Sequence, residues 1–180
     1  MDLCLRFCES EIEYWAKRYI QCQKLRSRKW EQSLIERKDS IQRENNMTLD
    51  ELYDISYWKS RRQSKRVYDN NPERVKRITK AAFASDNDWD KLKTLLKLDG
   101  ISYARASAIL HLYDEGLYPI IDVYAVWSVN KNDTVKNSYT KKFWCEYVPF
   151  CRKLASRNGD NMRMVDRALM HYGYIHSDIE

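Results

Sequence analysis

The sequence is poor in residues that interrupt helices and lacks long apolar runs. Only four glycines and three prolines occur in 180 residues, and none of them precedes Pro72. This scarcity excludes collagen-like and low-complexity chains. No apolar run approaches the roughly 20 residues that span a bilayer, and the acidic N-terminus, MDLCLRFCESE, lacks the basic start of a secretory signal. We therefore expect a soluble, cytoplasmic protein with no membrane partner.

Cysteines are present, but no CxxC pair occurs among the five, which are Cys4, Cys8, Cys22, Cys145 and Cys151. A zinc or iron–sulfur site needs four convergent ligands at tight spacing. We therefore expect buried free thiols in a reducing compartment and no metal site.

Strand-like alternation is also missing, whereas helical periodicity recurs along the chain. Ile12, Trp15, Ala16 and Tyr19 follow the spacing of one buried helix face. The sequence therefore predicts an all-α, compact multi-helix fold. Segment 1–46 is expected to pack on or extend a helical core formed by residues 47–180.

Polar residues and glycines mark where the helices start and stop. Thr48 with Glu51 forms a capping-box pattern, and Asn71 precedes Pro72 as a cap precedes a first helical residue. Further starts are expected at Ser102 and at Asp160 or Asn161, and a helix end at Gly116. In addition, Pro149 is expected to break or kink a late helix.

The positive charge is concentrated in one stretch, Lys59–Lys80, which we call the basic segment. It holds nine of the 32 basic residues but only two of the 26 acidic ones. The whole excess of the +6 net charge therefore lies there. A basic patch on a near-neutral body favours a polyanion partner such as nucleic acid. A solvated helical face is the alternative.

The stretch LLKLDGISYARASAIL places two apolar helices around a turn at Gly100. A turn this tight leaves backbone N–H groups at the start of the second helix without helical partners, and such groups favour anions. The sequence therefore predicts that Gly100, Ile101 and Ser102 bind a DNA phosphate. An ordinary αα-hairpin is the alternative.

This stretch resembles the helix-hairpin-helix element of the DNA glycosylases related to endonuclease III and the adenine-mismatch glycosylase. The segment YPIIDVYAVWSV resembles the part of those enzymes that carries the catalytic aspartate, and Asp122 follows Gly100 by the family's 22 residues. The resemblance is close over residues 88–130, with the hairpin at about 88–115 and the aspartate segment at 117–130. It implies a minimal member of that fold.

The resemblance implies a DNA N-glycosylase that acts in base excision and DNA repair on duplex DNA. It would flip a modified, damaged or mismatched base and hydrolyse its N-glycosidic bond, with Asp122 as the catalytic carboxylate. Ala104 stands where bifunctional members carry lysine, so no lyase activity is expected. The iron–sulfur cysteines are missing, and the one expected cofactor is a monovalent cation at the hairpin.

Further DNA contacts are expected around the basic segment. Trp58 is the candidate wall for a flipped base, with Lys59, Arg61 and Arg62 as its phosphate clamp, and Tyr57 and Tyr68 are further options. Arg105 is expected either to reach phosphate or to pair with an acid. Structural roles stay open for these residues as well. Trp58, for example, also suits a helix core.

Two other functions stay open at this point. One is a non-catalytic helix-hairpin-helix module that binds nucleic acid without a base pocket. The other is a protein-interaction scaffold whose basic face meets an acidic partner.

Overall fold

The computed structural model describes residues 1–159 and 161–179, without the side chains of residues 25–27. Apart from one isolated parallel bridge between Cys4 and Asn130, regular structure in these residues is helical, which confirms the all-α prediction. Short 3-10 helices lie at Glu9–Glu11 and Ser64–Asp69. The α-helices of the described residues are α1 (Ile12–Cys22), α2 (Leu25–Glu36), α3 (Lys38–Glu44), α4 (Leu49–Lys59), α5 (Pro72–Ala84), α6 (Asp88–Leu95), α7 (Tyr103–Tyr113), α8 (Val123–Val129), α9 (Lys141–Arg157) and α10 (Met162–His176).

Helix starts follow the capping residues that the sequence indicated. At α4, the Thr48 hydroxyl accepts from the Glu51 N–H and the Glu51 carboxylate accepts from the Thr48 N–H. Asn71 caps α5, and Asn161 caps α10 by accepting from the Met164 N–H. Asp160, the other candidate for that cap, lies outside the described residues. These signals act within a few residues, so the sequence alone reveals them.

The prediction that a helix ends at Gly116 is wrong, and of the break or kink expected at Pro149 the break does not occur. Helix α7 stops at Tyr113, since Asp114 already leaves the helical conformation. Gly116 is not among the described glycines with positive φ, which are Gly100 and Gly159. Helix α9 runs through Pro149 without a break. The buried face of α9, which includes the fully buried Trp144 and Tyr147, offsets the cost of a proline inside a helix, about 3 kcal/mol.

The prediction of buried thiols is also wrong for most of the cysteines. All five are free, but only Cys151 is buried. The other four thiols, those of Cys4, Cys8, Cys22 and Cys145, lie at the surface.

The chain divides into two compact units. The first unit combines Met1–Gln23 with Glu115–Glu180, and the second is Lys24–Asp114. In the first unit α1 and α8 both pack on α10. In the second, α4 packs on the Ser64–Asp69 helix and on α7, while α5 packs on α6. No helix of the described residues is both long enough and apolar enough to cross a membrane.

Candidate nucleic-acid interface

The basic segment is spread over consecutive parts of the second unit. Lys59 ends α4, and residues 60–63 form a loop, which we call the basic loop. The side chains of Arg61, Arg62, Lys65 and Arg66 are exposed, whereas Lys59 is half-buried and in contact with other groups. Exposed cations within a few residues of one another attract a polyanion without contributing to the core.

The hairpin turn, residues 96–102, joins α6 to α7. Gly100 has a φ of 77°, in the left-handed region that favours glycine. The Ile101 N–H donates to the Leu98 carbonyl at 3.2 Å, and Ser102 caps α7 by accepting from the Arg105 N–H at 3.5 Å. The turn expected from the sequence is therefore present, and its second helix starts at the expected residue.

Backbone donors at this turn are available to an anion. Among the described residues, the N–H groups of Gly100 and Ser102 have no hydrogen-bond acceptor. Ser102 is exposed. N–H groups at the start of a helix, together with the helix dipole, suit a phosphate oxygen.

Tertiary packing brings this turn and the basic segment together. A Cβ on Gly100 would lie 2.9 Å from the Val67 backbone nitrogen and 3.0 Å from the Arg66 carbonyl carbon. The turn therefore rests directly on the backbone of the Ser64–Asp69 helix, and only glycine fits there. The free N–H groups and the exposed bases consequently belong to one surface, which we call the hairpin surface.

Asn70, which the sequence analysis missed, binds both backbone groups of Asp99 in the turn. Its side-chain amide donates to the Asp99 carbonyl at 2.9 Å and accepts from the Asp99 N–H at 2.9 Å. Arg74 adds bonds to the Asp99 carboxylate at 2.6 Å and to the Lys97 carbonyl at 2.5 Å. Because Asn70 is 4% exposed, these bonds also satisfy the polar atoms of its own buried side chain.

Arg105 has neither of the two expected partners. Its side chain turns back beneath the hairpin, and the residue is 7% exposed. Its guanidinium donates to three backbone carbonyls: Gly100 at 2.6 Å, Ser60 at 3.0 Å and Arg62 at 2.5 Å. Burial, with a smaller effect of the Arg66 charge, lowers the pKa of Arg105. Arg105 therefore fastens the basic loop to the hairpin instead of contacting a phosphate directly.

The hairpin carbonyls do not fit the monovalent cation that the resemblance implies. The carbonyls of Leu98, Asp99 and Gly100 each accept a hydrogen bond from the protein. In addition, a cation about 4 Å from the Arg105 guanidinium is opposed by about 4 kcal/mol at an effective dielectric constant of 20. A cation site of this kind needs several carbonyl oxygens that replace the hydration shell. Among the described residues, no three His, Cys, Asp or Glu side chains are grouped to hold a metal ion.

Aromatic side chains line α4 beside the basic loop. Trp58 is half-buried, which is intermediate between the burial of a core residue and the exposure of a wall for a flipped base. Tyr57 lies under the Arg61 guanidinium, whose carbon is 5.3 Å from the ring centroid. Tyr53 stacks on Tyr68 with ring centroids 4.8 Å apart, and Tyr68 is 49% exposed. Exposed rings next to cations are suited to stacking on unpaired bases.

Asp122 belongs to the first unit. It is half-buried and is the N-cap residue of α8, directly before Val123. Its carboxylate accepts from the Tyr124 N–H at 3.0 Å and has further contacts. Asp122 therefore has the geometry of a helix cap and the residue type of a candidate catalytic carboxylate.

The segment before Asp122 is held rigidly. Both backbone groups of Ile120 have buried side-chain partners: the Asp166 carboxylate accepts from its N–H at 3.0 Å, and the Tyr147 hydroxyl donates to its carbonyl at 3.2 Å. Asp166 also pairs with Arg163 at 2.5 Å. Burial raises the pKa of Tyr147 well above its ordinary value, so this hydroxyl remains a donor. These bonds fix the chain two residues before the carboxylate.

Gly173 on α10 allows α8 to approach closely. A Cβ there would lie 2.1 Å from the Tyr124 carbonyl oxygen and 2.9 Å from the Ser128 hydroxyl. The Ser128 hydroxyl in turn donates to the Leu169 carbonyl at 2.7 Å. The start of α8, and Asp122 with it, therefore depends on a glycine 51 positions further along the chain.

Comparison with known proteins yields no matching family model, no matching curated protein and no matching solved structure. The functional conclusion therefore depends on the chemistry of the chain's own residues.

Three of the residues that organise these sites were missed by the sequence analysis: Asn70, Asp166 and Gly173. Their partners lie 29, 46 and about 50 positions away, so no local pattern announces them. Asn70 stands next to Asn71, which carries an obvious capping signal.

Proposed function

We propose that this chain is a monofunctional DNA N-glycosylase that binds duplex DNA through its hairpin surface. The observation that carries the proposal is the packing of the hairpin turn on the basic segment. Free N–H groups near Gly100 and the exposed cations of Arg61, Arg62, Lys65 and Arg66 lie on one continuous part of the second unit. N–H donors hold one phosphate in place, and the cations follow the backbone on either side of it.

Asp122 is the proposed catalytic carboxylate. Breaking the bond between C1′ and the base nitrogen sends the electron pair to the base and leaves positive charge on the sugar. A fixed carboxylate stabilises that charge and orients the water that adds to C1′, and the proton that this water loses neutralises the departing base. The hydrogen bonds to Ile120 support this role because they fix the backbone that carries the carboxylate.

The substitution Asp122→Asn tests the chemistry without removing the helix cap, since asparagine caps as well as aspartate. We expect the variant to release no base, to bind DNA within about threefold of the wild type and to unfold at the same temperature. The assay is a panel of duplexes with modified, damaged or mismatched bases, treated with alkali to cleave at lost bases. Asp86→Asn, which changes an exposed aspartate of the second unit, is the matched control and should keep full activity.

Two outcomes would contradict the proposal in different ways. If Asp122→Asn loses folding and binding together, Asp122 is a structural cap only. If the wild type binds duplex DNA but releases no base from any member of the panel, the chain is the non-catalytic nucleic-acid-binding module. The engagement of Asp122 with the Tyr124 N–H is the observation that favours this second candidate.

A further inference from the structure

Arg105 is a buried cation whose observed partners are three backbone carbonyls. Two of them, on Ser60 and Arg62, come from the basic loop, and the third belongs to Gly100 of the hairpin turn. The loop residues lie 45 and 43 positions before Arg105 in the sequence. Three carbonyl oxygens from two separate segments therefore converge on one positive charge, as they do around a bound alkali ion.

Burying this charge is costly unless it is compensated. A guanidinium stays protonated at any physiological pH, even where burial lowers its pKa. The residue is 7% exposed, and the hydrogen bonds of its two terminal nitrogens go to neutral carbonyls. Its Nε is buried without a hydrogen-bond partner. A charge held at such cost within the turn indicates a function at the turn.

We infer that the Arg105 guanidinium is the built-in cation of the hairpin and replaces a monovalent ion there. It neutralises the carbonyl oxygens on the inner side of the turn, so the turn presents its N–H groups to a phosphate with a fixed positive charge behind them. It also keeps the basic loop in register with the hairpin. DNA binding at the hairpin is consequently indifferent to which monovalent cation is in solution. The DNA part of this inference rests on the proposed function.

The test compares cations at one ionic strength. Wild type, Arg105→Met and Arg105→Lys are measured in the chlorides of lithium, sodium, potassium and tetramethylammonium. Duplex affinity is read by fluorescence anisotropy and the unfolding midpoint by circular dichroism. Arg77→Met, which removes an exposed arginine of the same basic segment, is the control for the loss of one charge.

For the wild type we expect the four affinities to agree within about twofold. Arg105→Met frees three carbonyl oxygens, so it should bind at least about tenfold more weakly in tetramethylammonium and regain affinity and thermal stability in one of the alkali salts. Arg77→Met should weaken binding equally in all four salts. Arg105→Lys should behave as the wild type does, because its ammonium group takes the place of an alkali ion.

The inference is overturned if the wild type depends on cation identity, or if Arg105→Met loses affinity and stability equally in every salt. Should Arg105→Met fail to fold, the wild type and Arg105→Lys decide, since marked cation dependence in either contradicts a built-in cation. The unfolding midpoints need no DNA. A folded chain that binds no duplex therefore refutes the proposed function, while the midpoints still decide the role of Arg105.

Discussion

At the residue scale, two glycines with the same backbone conformation differ in what surrounds them. Gly100 and Gly159 both have left-handed backbone, with φ of 77° and 72°. A Cβ on Gly100 would meet the backbone of Arg66 and Val67, whereas a Cβ on Gly159 would meet nothing within 4 Å. One glycine is required by conformation alone, and the other by conformation and packing together.

This pair gives a matched prediction. Gly159→Ala should lower the free energy of unfolding by about 1–2 kcal/mol, the cost of left-handed backbone in a residue with a side chain. Gly100→Ala should lower it by about 2–4 kcal/mol, because the turn must also move away from Val67. It should weaken DNA binding as well. Urea unfolding followed by tryptophan fluorescence measures both, and equal losses would show that the turn does not rest on the Ser64–Asp69 helix.

At the element scale, the hairpin is held by side chains from outside it. A pair of helices joined by a short turn, here residues 96–102, has few contacts of its own that fix the tip. Here Asn70 and Arg74 supply bonds to Asp99 and Lys97 from the segment before α6. The hairpin turn and the basic segment, which together form the hairpin surface, therefore depend on each other for their shape.

Neighbouring asparagines test this dependence. Asn71→Ala removes the cap of α5 and should cost about 1 kcal/mol with no effect on DNA affinity. Asn70→Ala removes both side-chain bonds to the Asp99 backbone in a buried place, so it should cost about 2–3 kcal/mol. It should also weaken DNA binding severalfold. Thermal unfolding and duplex titrations on the two variants provide the comparison. Equal effects of the two substitutions would refute the role of Asn70 in holding the hairpin turn.

At the scale of the whole molecule, charge is the property that matters for a partner. The net charge is +6, and the excess lies in the basic segment of the second unit. An interface with DNA releases counterions in proportion to the phosphates that it neutralises. If the basic segment instead serves to bind an acidic protein, its affinity for DNA should not show this steep dependence on salt.

Duplex affinity should therefore fall steeply with salt. We expect a plot of log affinity against log salt with a slope of about −4 or steeper, and the double substitution Lys65→Ala with Arg66→Ala should reduce that slope by about 2. The same charge change at the exposed Lys131 and Lys136 of the first unit should leave the slope unchanged. A weak and flat salt response would instead favour the protein-interaction scaffold.

The sequence by itself determined the helical class, the helix starts after Thr48, Asn71 and Ser102 and the turn at Gly100, because capping and periodicity act between residues at most a few positions apart. It also located the basic segment, and it indicated Asp122 as a candidate carboxylate by resemblance to the glycosylases. Only the tertiary structure decided that Arg105 faces carbonyls, that Asn70 holds the turn and that Asp166 and Tyr147 fix Ile120. Those contacts satisfy buried polar groups of residues far apart in the chain, and such a partner is settled by packing after the helices have formed.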